Sequence, residues 1–207
     1  MEELVSAIVL AGGRATRLGG TNKALLKVGG MRIIDRVLGA LRPLTDQIIL
    51  VGHLAESLDF PDVEVIPDAY PGAGSMPALQ TGLRASRNDV ALVVGCDMPF
   101  LSTSLLRQIL DLSNGFDVAV PRIGPHLEAL HAAYRRSCIP VIEDYLRRRD
   151  LKIIDFYPSV RTREVSEVEL RALDPDLSSF FNVNTPEDLE KARAIATSVH
   201  KISGQGG

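Results

Sequence analysis

Residues Ile8 to Leu26 read IVLAGGRATRLGGTNKALL, and the fold follows from how that string is punctuated. The apolar run Ala7-Ile8-Val9-Leu10 has the composition of a buried strand, and Gly12-Gly13 stop it. A polar loop carrying Arg14 and Arg17 follows, and then Lys23 just before Ala24-Leu25-Leu26. Glycines let backbone N–H groups approach phosphate oxygens, and the cations neutralise them. The carboxyl end of a first strand is where open α/β sheets bind ligands, so the stretch reads as a polyphosphate site. The plainer reading, a tight βα turn with solvated arginines, does not account for glycines and cations falling together.

Two familiar phosphate loops are excluded. A P-loop needs Ser or Thr after its lysine and a Gly-x4-Gly spacing before it, whereas Ala24 follows Lys23. The dinucleotide pattern G-x-G-x-x-G is approached only at Gly72-Ala73-Gly74, with Pro77 where the third glycine belongs. That segment reads as a turn.

Working outward, strands alternate with helices. Ile33 to Leu41 has apolar residues at helical spacing, and Ile48 to Val51 is a strand stopped by Gly52, with His53 read as a loop residue. Val63 to Ile66 is a strand leading to Asp68, and Pro77 to Ser86 is a helix with an early proline. Val90 to Gly95 is apolar without alternation, the mark of a central strand covered on both faces, and it delivers Cys96 and Asp97 at its carboxyl end. Ser102 to Leu112 is a helix. Asp117 to Pro121 and Ala129 to Tyr134 read as a hairpin, which predicts at least one antiparallel strand. Ile139 to Arg148 is a helix whose arginines Arg147, Arg148 and Arg149 match the negative helix end. Val160 to Val165 is a strand, and Ser166-x-x-Glu169 is a capping box. Thr185-Pro186-Glu187-Asp188 opens the last helix. The pattern predicts a three-layer α/β fold with a mostly parallel sheet, in one domain over residues 1–200, with 201–207 a disordered tail.

The net charge of −3 argues against nucleic acid or an anionic membrane as partner, so any anion site must be built from local cations. No apolar run approaches the roughly 18 residues of a membrane span. Glu2 and Glu3 stand where a signal peptide has basic residues, and the two cysteines, Cys96 and Cys138, form no metal or disulfide spacing. A reduced, cytoplasmic protein is expected. His126 and His131 are not at helical ligand spacing, which argues against zinc.

The G-G-x3-R…K order resembles the nucleotidyltransferase superfamily. Within it, Leu10-Ala11-Gly12-Gly13 followed by R-L-G-G-x-x-K-A-L-L from Arg17 to Leu26 resembles the molybdenum cofactor guanylyltransferases of MobA type. CDMPFL (Cys96 to Leu101) and FFNVNTPEDL (Phe180 to Leu189) resemble two further blocks of that family in the same order, so the likeness spans nearly the whole chain. It implies a three-layer, Rossmann-like nucleotidyltransferase fold and Mg²⁺-dependent transfer of GMP from GTP to the phosphate of molybdopterin, with pyrophosphate released. It implies catalytic roles for Arg17, Lys23 and Asp97, and nucleotide contacts from Leu10, Ala11, Gly12, Gly13, Arg17, Lys23, Asp68 and Asp97. The metal falls to Asp97, with Asn184 as a secondary candidate. GTP and molybdopterin are the implied partners, together with transient contact to molybdoenzyme maturation proteins. Two alternatives stand beside this: a sister transferase using CTP or another NTP with a different phosphorylated acceptor, and a non-catalytic nucleotide-binding module. The chain departs from the family at Asn22, usually aspartate, at Gly74 to Ala78, usually G-P-L-A-G, and at Ala129 in the acceptor-side pattern, usually proline.

Overall fold

The computed structural model describes residues 4–11, 17–18, 21–52, 60–68 and 73–203, without the side chains of 17–18, 21 and 199–203. Its first strand, β1 (Val5–Ala11), is buried at every position. Val5, Ala7, Val9 and Ala11 face one hydrophobic core, and Ile8 and Leu10 face another. A strand that buries both faces must lie inside a sheet, and this one lies at its centre.

Two short ribbons follow: β2 (Arg17–Leu18) with β3 (Thr21–Asn22), then, after a 3-10 turn at Lys23–Leu25, β4 (Lys27–Val28) with β5 (Met31–Arg32). The chain continues through α1 (Ile33–Leu41), β6 (Gln47–Gly52), β7 (Val63–Ile66), α2 (Ser75–Ala85), β8 (Val90–Gly95) and α3 (Thr103–Leu112). Then come β9 (Val118–Ile123), β10 (His126–Leu127), β11 (His131–Arg135) and α4 (Ile139–Arg147). A 3-10 segment at Ile153–Ser159, β12 (Thr162–Val165), α5 (Glu167–Arg171) and α6 (Pro186–Ser203) complete it.

Among the described residues the main sheet has eight strands in the order β10-β9-β11-β8-β1-β6-β7, with β12 joined to β9. β1 pairs in parallel with β6 and β8, β6 with β7, and β12 with β9. β11 is antiparallel to both β8 and β9, as the hairpin reading predicts. Residues of α1, α3, α5 and α6 fill one core and those of α2, α4 and the Ile153–Ser159 segment fill the other, which makes three layers.

Local chemistry explains most boundaries. Ser102 caps α3 through the Leu105 amide, and Ser166 and Glu169 form a reciprocal capping box at α5. The Thr185 hydroxyl accepts from the Asp188 amide, while the Asp188 carboxylate accepts from the amides of Asn184 and Thr185. α2 starts at Ser75, two residues before the predicted start at Pro77. Proline is tolerated there because the first helical amides have no partner inside the helix. α6 runs to Ser203, beyond the expected tail boundary at Lys201, since no glycine or proline interrupts it before Gly204.

Candidate active site

The ligand edge of the sheet is the set of carboxyl ends of β1, β6, β7 and β8. β1 ends at Leu10 and Ala11, where the Leu10 carbonyl accepts from the Cys96 amide at 3.2 Å and Ala11 lies in register with Gly52. The fit there is tight. A Cβ on Gly52 would stand 2.4 Å from the Ala11 carbonyl oxygen, and its φ of +135° is one that L side chains rarely adopt. Gly12, Gly13, Arg14 and His53 lie outside the described residues. Arg17 enters β2, and its side chain is likewise outside the description.

Lys23 is brought back to this edge by the 3-10 turn Lys23–Leu25. The Asn22 side chain caps that turn by accepting from the Ala24 amide at 3.1 Å. An asparagine oxygen caps as well as an aspartate oxygen, so the departure at Asn22 leaves the turn intact. The Lys23 side chain is almost fully buried, at 3% exposure, and Nζ donates to Asn184 Oδ1 over 2.9 Å. A buried ammonium held by a neutral amide keeps donors for a further anionic partner.

Asp97 follows β8 on a turn clamped by the Val183 amide, which donates to the Asp97 carbonyl at 2.9 Å. That bond ties the Phe180–Asn184 segment to the end of β8, so the CDMPFL and FFNVN blocks meet in space. Burial pushes the Asp97 carboxyl above the usual carboxylate range, opposed by its backbone hydrogen bond and by the Lys23 charge. Gly95 makes room for it: a Cβ there would come within 2.8 Å of Asp97 Oδ1. A desolvated carboxylate seated in a cradle that a Cβ would fill suits a hard cation, and Mg²⁺ characteristically takes one or two carboxylates plus substrate phosphate. The donor set therefore fits. Among the described residues no three His, Cys, Asp or Glu side chains gather as a metal cage.

Of the expected site residues, the structure thus brings Lys23, Asp97 and Asn184 together beside Leu10 and Ala11. Asp68 is buried just past β7, two strands from β1 on the opposite side from β8. Next to Asn184 in the FFNVN block, the Asn182 side-chain amide donates to the Phe180 carbonyl at 3.1 Å.

The sequence reading set His131 aside as a zinc ligand and gave it no burial or packing role. His131 opens β11 opposite Val94 with no exposure, and its ring lies 4.4 Å from the Phe180 ring. Neither ring nitrogen has a hydrogen-bond partner among the described residues. Burial lowers its pKa to about 4, opposed by the Asp174 charge and the Ser179 backbone. The ring works as an apolar plate under the Phe180–Asn184 segment. Its place in the run Ala129 to Tyr134, flanked by Leu130 and Ala132, was the available signal.

A mostly parallel, doubly wound sheet with a buried lysine and a desolvated aspartate gathered at the carboxyl ends of its central strands is the layout of a nucleotidyltransferase. Residues 7–160 match the family model of the MobA-like NTP transferase domain. A probable molybdenum cofactor guanylyltransferase of Pelotomaculum thermopropionicum is 44% identical over 191 residues, covering 92% of this chain and 93% of its own. The molybdenum cofactor guanylyltransferase of Desulfosudis oleivorans is 36% identical over 93% of this chain and 96% of its own. In solved structures, the molybdopterin-guanine dinucleotide biosynthesis protein A of Archaeoglobus fulgidus superposes with a TM-score of 0.80 at 28% identity, covering 93% of this chain and 99% of that one. The chain belongs to the MobA-like NTP transferase family.

Proposed function

We propose that this protein transfers GMP from GTP to the phosphate of molybdopterin. An oxygen of the acceptor phosphate attacks the α-phosphorus of GTP, the bond to the bridging oxygen breaks, and pyrophosphate leaves. A phosphate monoester is anionic near neutral pH, so no general base is needed and catalysis rests on alignment and charge neutralisation. The observation that carries the reading is the Lys23–Asn184 contact beside Asp97, in a chain 44% identical to a protein named for this activity.

In this reading Lys23 and Arg17 neutralise the β- and γ-phosphates and the departing pyrophosphate. Asn184 aims the Lys23 ammonium, and the backbone of Leu10, Ala11, Gly12 and Gly13 cradles the phosphates. Asp68 contacts the nucleoside. Asp97 would hold Mg²⁺, with Asn184 as a secondary ligand; when bound, the ion neutralises phosphate charge and orients the phosphate oxygens. Residues 1–200 act as one catalytic unit in the cytoplasm, with transient docking to molybdoenzyme maturation proteins. Among the described residues no helix is long and apolar enough to cross a membrane.

The test is turnover: molybdopterin, MgCl₂ and each of GTP, CTP, UTP and ATP, with pyrophosphate and the adduct mass measured. GTP-selective formation of the guanine dinucleotide is expected. CTP selectivity would replace this reading with the sister transferase, and no adduct with any nucleotide would remove the catalytic reading.

A further inference from the structure

β8 stops at Gly95, but the chain beside it runs on. β9 continues to Ile123, turns at Gly124–Pro125 and returns as β10, so this hairpin stands past the end of β8 on the ligand edge. The Gly95 amide donates to the Leu130 carbonyl at 3.2 Å, which puts Glu128 and Ala129 beyond the strand's end, on the side of the Cys96–Asp97 turn. Glu128 opens a turn set between β10 and β11. Its amide donates to the Pro121 carbonyl at 2.9 Å, and its carbonyl accepts from the His131 amide at 3.0 Å. The Tyr134 hydroxyl donates to the Ala129 carbonyl at 2.8 Å, and the Tyr157 hydroxyl lies 2.6 Å from that of Tyr134. The backbone that carries Glu128 is thus tied down on both sides.

The side chain on that fixed base has nothing to hold. Glu128 is half-buried, and among the described residues its carboxylate makes no hydrogen bond and no ion pair. Burial pushes its carboxyl above the usual carboxylate range, opposed by the His126 charge. Arg122, which faces Leu127 across the hairpin, is taken by Glu164. Drawing a carboxylate out of water without a partner costs free energy, and such groups concentrate where a ligand supplies the partner. The strand order points to which ligand. Leu10, Ala11 and Asp68 come from β1 and from just past β7, whereas Glu128 comes from the other side of β8. From β11 to β7 is four strand spacings, about 19 Å along the sheet. Asp97 lies between them at the end of β8, so a second substrate meeting a nucleotide spread over β1 to β7 extends toward Glu128. The half-buried Phe180 ring, 4.4 Å from that of His131, borders the same turn with an apolar surface.

We propose that Glu128 reads the ring of the phosphorylated acceptor. Its carboxylate accepts two parallel hydrogen bonds from an aminopyrimidinone edge, one from the ring N–H and one from the exocyclic amine. The inference rests on the proposed transfer to molybdopterin, whose pterin carries that edge. Guanine carries the same edge, but in that reading the nucleoside lies on the Asp68 side of Asp97.

The two sources of that edge separate by experiment. The probe is hydroxymethylpterin, which is fluorescent, and its control is hydroxymethyllumazine, in which an oxygen replaces the amine. Both are titrated into the full chain and into Glu128→Gln, and KM values for molybdopterin and GTP are measured in parallel. The parent should prefer the pterin by about tenfold or more, and Glu128→Gln should erase that preference and raise the KM for molybdopterin to a similar extent. The KM for GTP should stay the same, and the thermal midpoint should hold or rise, because a desolvated charge is removed. A pterin preference that survives in the variant, no pterin binding by the parent chain, or a raised KM for GTP in place of that for molybdopterin would overturn the assignment. Guanylyl transfer with an unchanged acceptor KM in the variant would reject the role of Glu128 and leave the transfer reading standing. A Glu128-dependent pterin preference in a chain that forms no adduct would do the reverse.

Discussion

Lys23 and Asp97 illustrate how one residue's surroundings select its chemistry. The ammonium is buried and donates to a neutral amide, and the nearby Asp97 carboxyl feels its charge. Lys23→Met keeps the apolar stem and removes the charge. It should lower kcat/KM for GTP by about 100-fold or more while moving the thermal midpoint by only a few degrees. Near-parental turnover in that variant would end the assignment of Lys23 to the pyrophosphate. Gly95→Ala probes the neighbouring group without touching any charge. The added methyl meets the Asp97 carboxylate at 2.8 Å, so activity at limiting Mg²⁺ should fall and be partly regained as Mg²⁺ is raised. A loss that Mg²⁺ does not relieve would show that the cradle serves the fold instead.

At the level of elements, β11 and the Phe180–Asn184 segment are joined through the His131–Phe180 contact. The unfolded chain protonates His131 near 6.5, the folded chain only near 4. Below 6.5 the unfolded state holds the extra proton, so stability is full above about 6.5 and falls toward about 4, by an amount on the order of 3 kcal/mol. His131→Phe should flatten that part of the stability profile at little cost at pH 8, since a buried ring whose nitrogens have no close hydrogen-bond partner among the described residues is being replaced by an apolar one. Denaturant midpoints from pH 8 to 4 check this; an unchanged slope in the variant would assign the acid loss to other groups. The same elements show what sequence reading reaches. β8, the α5 box and the start of α6 are written in adjacent residues, through unbroken apolar runs and capping side chains a few positions apart. The Lys23–Asn184 bond spans 161 positions and the Val183–Asp97 clamp depends on how two turns stack, so neither leaves a local signature. Family resemblance pointed to those residues, but the burial of Lys23 and the cradle at Gly95 came from packing alone. The capping role of Asn22 was hidden for a different reason: aspartate and asparagine do the same work there.

For the whole molecule, the order of strands matters more than any single contact. β1 has a parallel neighbour on each side and a helical layer on each face. Opening its amides therefore requires parting the sheet at its middle, which approaches global unfolding, whereas β7 and β10 sit at edges and can open alone. In native-state hydrogen exchange, the amides of Ile8 to Leu10 should be among the slowest in the chain, with an opening free energy equal to that from denaturant unfolding. Faster exchange there than at β7 would contradict the observed strand order. The loop that follows Ala11 is thus hung from the last part of the molecule to come apart. A substitution can erode the sheet's margins and lower the protein's half-life in a cell long before it disturbs the anchor of the reacting groups, so loss of abundance and loss of turnover should separate cleanly across a mutational scan.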